Sequence, residues 1–192
     1  PIKQIKSQHD LSLKHANWLK TNFKNVEHHI IEMDKIFGSF SQVLNNFDNE
    51  HGFANSRARL RMATLYQVAA ANSGIVVGTG NKVEDFGVGF YTKYGDGGVD
   101  ISPIADLLKS EVYSLAKYHN IIDEIIKARP TDGLWNDNRS DEEQIGATYD
   151  ELEKAMLDES KSESNLSKRE REVMNIYKSF NSSNRHKMLP IP

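Results

Sequence analysis

The chain has 192 residues, 38% hydrophobic and 27% charged, with a net charge of −3 and a pI near 6.2, so it carries no global positive field to attract nucleic acid. It contains no cysteine, which excludes disulfides, thiolate metal sites and a Cys nucleophile within it. No apolar run approaches the ~20 residues of a membrane span, and residues 1–10 hold no apolar signal core, so the cytoplasm is the expected compartment.

The spacing of Ala16, Leu19 and Phe23 predicts a first helix over about 8–23, with Asp10 near its start. Residues 26–33, VEHHIIEM, read as a strand burying Ile30 and Ile31. A second helix is expected over 34–46, on the apolar face of Ile36, Phe40, Val43 and Leu44, followed by a loop over 47–55. A third helix, 56–72, carries a core stripe of Leu60, Leu65, Val68 and Ala69 and is ended by Gly74. The run IVVGTG, 75–80, reads as a buried parallel strand.

A glycine-rich loop follows to Pro103, and then a helix over 104–119 with Leu107, Leu108, Val112, Leu115 and Ala116 inside. A short helix over 121–128 is ended by Pro130. Ser140 with Glu143, Thr148 with Glu151 and Ser167 with Glu170 have capping-box spacing, each announcing a helix start. Residues 158–165, DESKSESN, form a polar linker to the last helix and tail. Helices alternating with apolar strands predict an α/β layered domain over 1–192. Two parallel strands do not make a stable sheet, so further strands are expected upstream or from a partner.

In open α/β sheets ligands bind beyond the carboxyl ends of the strands. Here that place is residues 78–100, where seven glycines are mixed with Thr79, Glu84, Asp85, Lys93, Asp96 and Asp100. Glycines let backbone approach a ligand, lysines neutralise phosphates and carboxylates hold Mg²⁺ through oxygen. A solvated loop has a similar composition. No GxxxxGK[ST] and no GxGxxG follows a strand, which removes the ordinary P-loop and dinucleotide fingerprints.

The successive blocks NSRARLRMATLYQVA (55–69), VVGTGNKVE (76–84), GFYTKYGDGGVDISPIADLLKSEV (89–112), ARPTDGLW (128–135), SDEEQIGATYDEL (140–152) and RHK (185–187) resemble those of bacterial ammonia-dependent NAD synthetase in order and spacing. Residues 1–50 fit that family loosely. The resemblance implies a Rossmann-like, adenine-nucleotide α-hydrolase-like fold: a parallel sheet with helices on both faces and a helical C-terminal part. It also implies a homodimer, Mg²⁺, and the conversion of deamido-NAD, ATP and ammonia into NAD, AMP and diphosphate. The family's SGGxDS segment is not found in residues 1–192, so the N-terminal strands that carry it are expected to be lacking from this sequence.

By motif, Arg59, Lys93, Asp100, His186 and Lys187 resemble deamido-NAD contacts, and Thr79, Lys109 and Thr131 resemble ATP contacts. Glu84 resembles the metal ligand, although one additional residue before GFYTK leaves Asp85 open for that role. Asp96 is the residue expected to handle ammonia, because ammonium must lose a proton before it can attack; the same side chain also suits stabilising the GDGG turn. Lys109 is expected to join it in catalysis. Two other readings compete: another ATP-pyrophosphatase-type amidating synthetase, and a non-catalytic dimeric nucleotide-binding protein.

Overall fold

A computed structural model describes residues 1–133, 139–160 and 166–190. The chain divides into two compact units, one of residues 1–57 and 115–141, the other of residues 58–114 and 142–192.

In the first unit, α1 (Lys6–Asn22) packs on the short α5 (Asp123–Ile126), with an exposed Lys14–Glu124 pair at 3.3 Å. Helix α2 (Asp34–Val43) is followed by a 3₁₀ turn, Asn45–Phe47. Its Phe37 is buried and meets Phe53 edge-on, with ring centroids 6.1 Å apart. The stretch 26–33 forms no strand. Its end is held from the chain start, where Met33 N–H donates to the Pro1 carbonyl and Lys3 N–H to Asp34 Oδ1. Ile30 and Ile31 are about half exposed, not buried as expected, because no neighbouring strand covers either face.

Helix α3 begins at Glu50 and runs to Ala71, so residues 50–55 of the expected loop over 47–55 are helical. Its buried positions are Ala54 and Ala58, whereas Leu60, Val68 and Ala69 are half-buried and Leu65 is exposed. Ser73 takes φ +53° and Gly74 N–H returns to the Ala69 carbonyl, closing the helix.

In the second unit, residues 75–80 form one parallel bridge, Val77 with Ile101, and no ladder among the described residues. The backbone alternates: Val76 and Gly78 are buried, while Ile75 and Val77 are exposed. A run that reads as buried on both faces is thus covered on one. Residues 82–88 then form a π-helix, Lys82–Val88. Asn81 caps its start by accepting from Val83 N–H and Glu84 N–H, and Gly89 ends it at φ +63°. Helix α4 begins at Lys109, later than expected, and ends at Tyr118.

The core of this unit is helical. Val83 and Val88 of the π-helix meet Tyr149, Leu152 and Ala155 of α7 (Tyr149–Asp158) and Val173, Met174 and Tyr177 of α8 (Lys168–Met188). Recurrence at helical spacing puts these side chains on one face of each helix. Both the Thr148/Glu151 and Ser167/Glu170 capping boxes form as the sequence predicts, and Ser140 precedes α6 (Asp141–Ile145). Of the polar stretch 158–165, Asp158 closes α7 and is buried, and residues 161–165 lie outside the described residues. No helix among the described residues is long and apolar enough to cross a membrane.

Candidate nucleotide site

The π-helix and the first turn of α4 bring two expected residues into contact. Lys109 Nζ lies 2.6 Å from Glu84 Oε1, and both side chains are less than one-fifth exposed. Tyr149 O–H donates to the same oxygen at 2.6 Å, and the Lys109 ammonium stands 4.7 Å from the centroid of the Tyr149 ring. A half-buried carboxylate thus holds a cation and a hydroxyl together on one oxygen. Both bonds are of the charge-assisted kind, stronger than neutral ones.

Asp85 sits beside this pair in a different state. Burial, then the charges of Glu84 and Asp96, push its carboxyl up to about 6. The carboxylate folds back over Gly80, where a Cβ would lie 2.0 Å from Asp85 Oδ2. Burial first, then the charges of Asp85 and Asp96, push the Tyr91 hydroxyl up to about 12. Among the described residues no group of three His, Cys, Asp or Glu side chains is arranged to hold a metal ion. Glu84 and Asp85 therefore fit only part of a shell, as suits Mg²⁺, which takes one or two carboxylates and completes its octahedron with phosphate oxygens and water. Glu84 fits better than Asp85, which is packed against Gly80. Oε2 of Glu84 accepts no hydrogen bond among the described residues.

The glycine-rich loop is held by the end of α8. Asn181 donates to the Phe86 and Gly87 carbonyls, Asn184 to that of Val88, and Lys187 Nζ to those of Gly89 and Tyr91 at 2.9 and 2.8 Å. Lys93 Nζ donates back to the His186 carbonyl, and the Lys93 carbonyl accepts from Arg59 Nε at 3.3 Å. Arg59, Lys93, His186 and Lys187 are thus gathered around one loop. Asn181 and Asn184 stand in one row with Lys187 at spacing three, on one helix face; of the three, the sequence motif points to Lys187 alone, although the spacing is visible there.

Asp96 Oδ1 accepts from Thr92 N–H at 3.0 Å inside a turn where Gly95 N–H returns to the Thr92 carbonyl. Burial raises its pKa, opposed by the Thr92 hydrogen bond and the Lys187 charge. Asp100 is committed to Val76 N–H at 2.7 Å and Tyr66 O–H at 3.2 Å. Thr79 is exposed just after the bridge residue Val77. Thr131 belongs to the other unit, where its hydroxyl donates to the Arg139 carbonyl and accepts from Gly133 N–H. Trp135 of the ARPTDGLW block lies outside the described residues.

The family model described as NAD synthase matches residues 1–190, and the chain belongs to that family. It is 42% identical over 126 residues to the NH(3)-dependent NAD(+) synthetase of Mesoplasma florum, covering 64% of this chain and 51% of that protein. To the enzyme of the same name from Methanococcoides burtonii it is 36% identical over 153 residues, 79% of this chain and 56% of that protein. The chain spans about half the length of the curated relatives it matches. Among solved structures it resembles the NMN synthetase of Francisella tularensis, with TM-score 0.83, 30% identity and coverage of 98% of this chain and 73% of that one. It also resembles the NH3-dependent NAD synthetase of Campylobacter jejuni, with TM-score 0.75, 26% identity and coverage of 100% and 74%. The fold is that of these synthetases.

Proposed function

We propose that the protein carrying this chain is a carbon–nitrogen ligase that amidates deamido-NAD with ammonia at the expense of ATP. The substrate carboxylate attacks the α-phosphorus of ATP, releasing diphosphate and forming an acyl-adenylate. Ammonia then attacks the acyl carbon, and AMP leaves. This divides one difficult substitution into two easier ones. The observation that carries the proposal is the Lys109–Glu84 contact at 2.6 Å within family-matched sequence.

In this scheme the Lys109 ammonium holds the ATP phosphates, with Thr79 and Thr131 as further ATP contacts. Arg59, Lys93, Asp100, His186 and Lys187 belong to the deamido-NAD side. Asp96 draws ammonium and accepts its proton. Glu84 holds Mg²⁺, which when bound offsets the charge of the departing diphosphate. The cytoplasm, as the source of ATP, is the compartment proposed. The parallel sheet covered by helices belongs to the same proposal, supported by the Val77–Ile101 bridge and the exposed Ile75 and Val77 beside it.

A homodimer is proposed from the first unit. Ile36, Val43 and Phe47, spaced as one stripe along α2 and the turn after it, are 54%, 80% and 79% exposed. An apolar stripe of that kind suits an isologous contact with a second copy.

The likeness to the Francisella NMN synthetase favours a second reading, in which the acceptor is the corresponding mononucleotide and the product is NMN. The full-length protein is to be incubated with ATP, Mg²⁺ and ammonium plus either acceptor. Equimolar AMP and amide from one acceptor identifies the substrate. Nucleotide binding with no AMP from either would replace the ligase by the non-catalytic binding protein.

A further inference from the structure

Helix α7 presents Tyr149 and Glu153 one turn apart, both buried. Residues at that spacing share a helix face. Tyr149 O–H reaches Glu84 Oε1 at 2.6 Å, and the Glu153 carboxylate accepts from Ser110 N–H at 2.8 Å and Ser110 O–H at 2.7 Å. Ser110 follows Lys109 in the first turn of α4, where backbone N–H groups favour an acceptor carboxylate. One face of α7 therefore holds Glu84 through Tyr149 and, through Glu153, the helix turn that carries Lys109. The start of α7 is itself pinned, by the Thr148/Glu151 capping box and by Tyr149 N–H donating to Glu142 Oε1 at 2.8 Å.

We propose that Tyr149 is a positioning residue for the metal-holding carboxylate. Its hydroxyl fixes Glu84 through Oε1, so that Oε2 stays presented to a divalent cation while Lys109 is drawn toward phosphate. Lys109 alone cannot do this, because an ammonium that turns to phosphate no longer anchors the carboxylate. The inference rests on the proposed assignment of Glu84 as the metal ligand, and the test separates the two.

Mn²⁺ binding is to be measured by electron paramagnetic resonance in the presence of a non-hydrolysable ATP analogue, for wild type, Tyr149→Phe, Glu84→Gln and the double variant. Phe keeps the buried ring, so Tyr149→Phe is expected to melt within a few degrees of wild type. The expected result is Mn²⁺ affinity about tenfold weaker in Tyr149→Phe, the factor that a lost hydrogen bond to a charged group carries. Glu84→Gln is expected to weaken Mn²⁺ at least as much, and adding Tyr149→Phe to it to change affinity by less than about twofold, because coupled residues do not add. Wild-type affinity in Tyr149→Phe, or an equal loss with and without Glu84, overturns the positioning role. Unchanged affinity in Glu84→Gln overturns the metal assignment and this inference with it.

Discussion

Lys187, in the last turn of α8, donates to the carbonyl of Tyr91 across 2.8 Å and 96 residues of sequence. A second bond from the same ammonium reaches Gly89. Two of its three donors are thus spent on backbone, and burial lowers its pKa against the opposing pull of Asp96. Lys187 stands on the deamido-NAD side in the function proposed above. The geometry adds that it also shapes the loop that would receive that dinucleotide.

Replacing Lys187 by Met keeps an apolar stem and removes both bonds. Each such bond contributes on the order of 1 kcal/mol, so local opening of residues 89–92 is expected to become easier. Native-state hydrogen exchange should show those amides exchanging about tenfold faster, with α7 unchanged. Exchange at the wild-type rate would mean that Asn181 and Asn184 hold the loop unaided.

Gly89 terminates the π-helix at φ +63° beneath the same helix end. A Cβ there would lie 2.5 Å from the Cβ of Asn184 and 2.8 Å from Cε of Met188. Gly89→Ala therefore meets both a left-handed backbone penalty of about 1 kcal/mol and overpacking of about 1–3 kcal/mol. Denaturant titration is expected to show a loss above about 2 kcal/mol, and a loss below about 0.5 kcal/mol would contradict this packing.

How far the sequence reached depended on whether a signal was local. Capping boxes at Thr148 and Ser167 were legible because the cap and its partner lie three residues apart. Helix existence is legible from periodicity, but the start of α3 at Glu50 is not, since none of residues 50–53 is buried and Ala54 is the first buried position. Strand burial failed at Ile30, Ile31 and Val77, because a strand's burial depends on neighbours that composition cannot supply. Glu84 and Lys109 were named by motif alone; that they touch each other, and that Tyr149 touches Glu84, required a fold joining residues 25 and 65 positions apart. A π-helix has no propensity signature, so in the sequence the element carrying Glu84 reads as loop.

Val43 lies on the exposed stripe proposed for the dimer and is 80% exposed. Val43→Asp leaves the monomer's core untouched, so its folding stability should change by no more than about 0.5 kcal/mol. In sedimentation equilibrium the variant is expected to be monomeric where wild type is dimeric. A dimer of unchanged affinity would move the interface elsewhere.

Lys109→Ala removes the cation from Glu84 and leaves Tyr149 O–H in place. Loss of a single preorganised donor to a developing charge slows reactions by about a hundredfold to a thousandfold. AMP formation is expected to fall within that range with circular dichroism unchanged. Turnover near wild type would remove Lys109 from the site.

Glu151 joins a cap to an ion pair. It accepts Thr148 N–H at 2.9 Å and receives Arg169 through Nε and Nη2, each at 2.8 Å. The Arg169 hydrogen bond first, then the Thr148 N–H, hold its carboxyl down at about 2, against an ordinary 4.5. A depressed folded-state pKa contributes stability above the unfolded value and loses it as pH falls from about 4.5 toward 2. Because the pair is largely solvent-exposed, screening leaves about 0.5–1 kcal/mol of that contribution. Glu151→Gln preserves a capping-box side chain and removes the charge. Thermal or urea unfolding should find the variant less stable by about that amount at pH 7, with the two curves drawing together below about pH 4.5 and meeting near pH 2. A constant difference across that range would assign the effect to the cap and not to the ion pair.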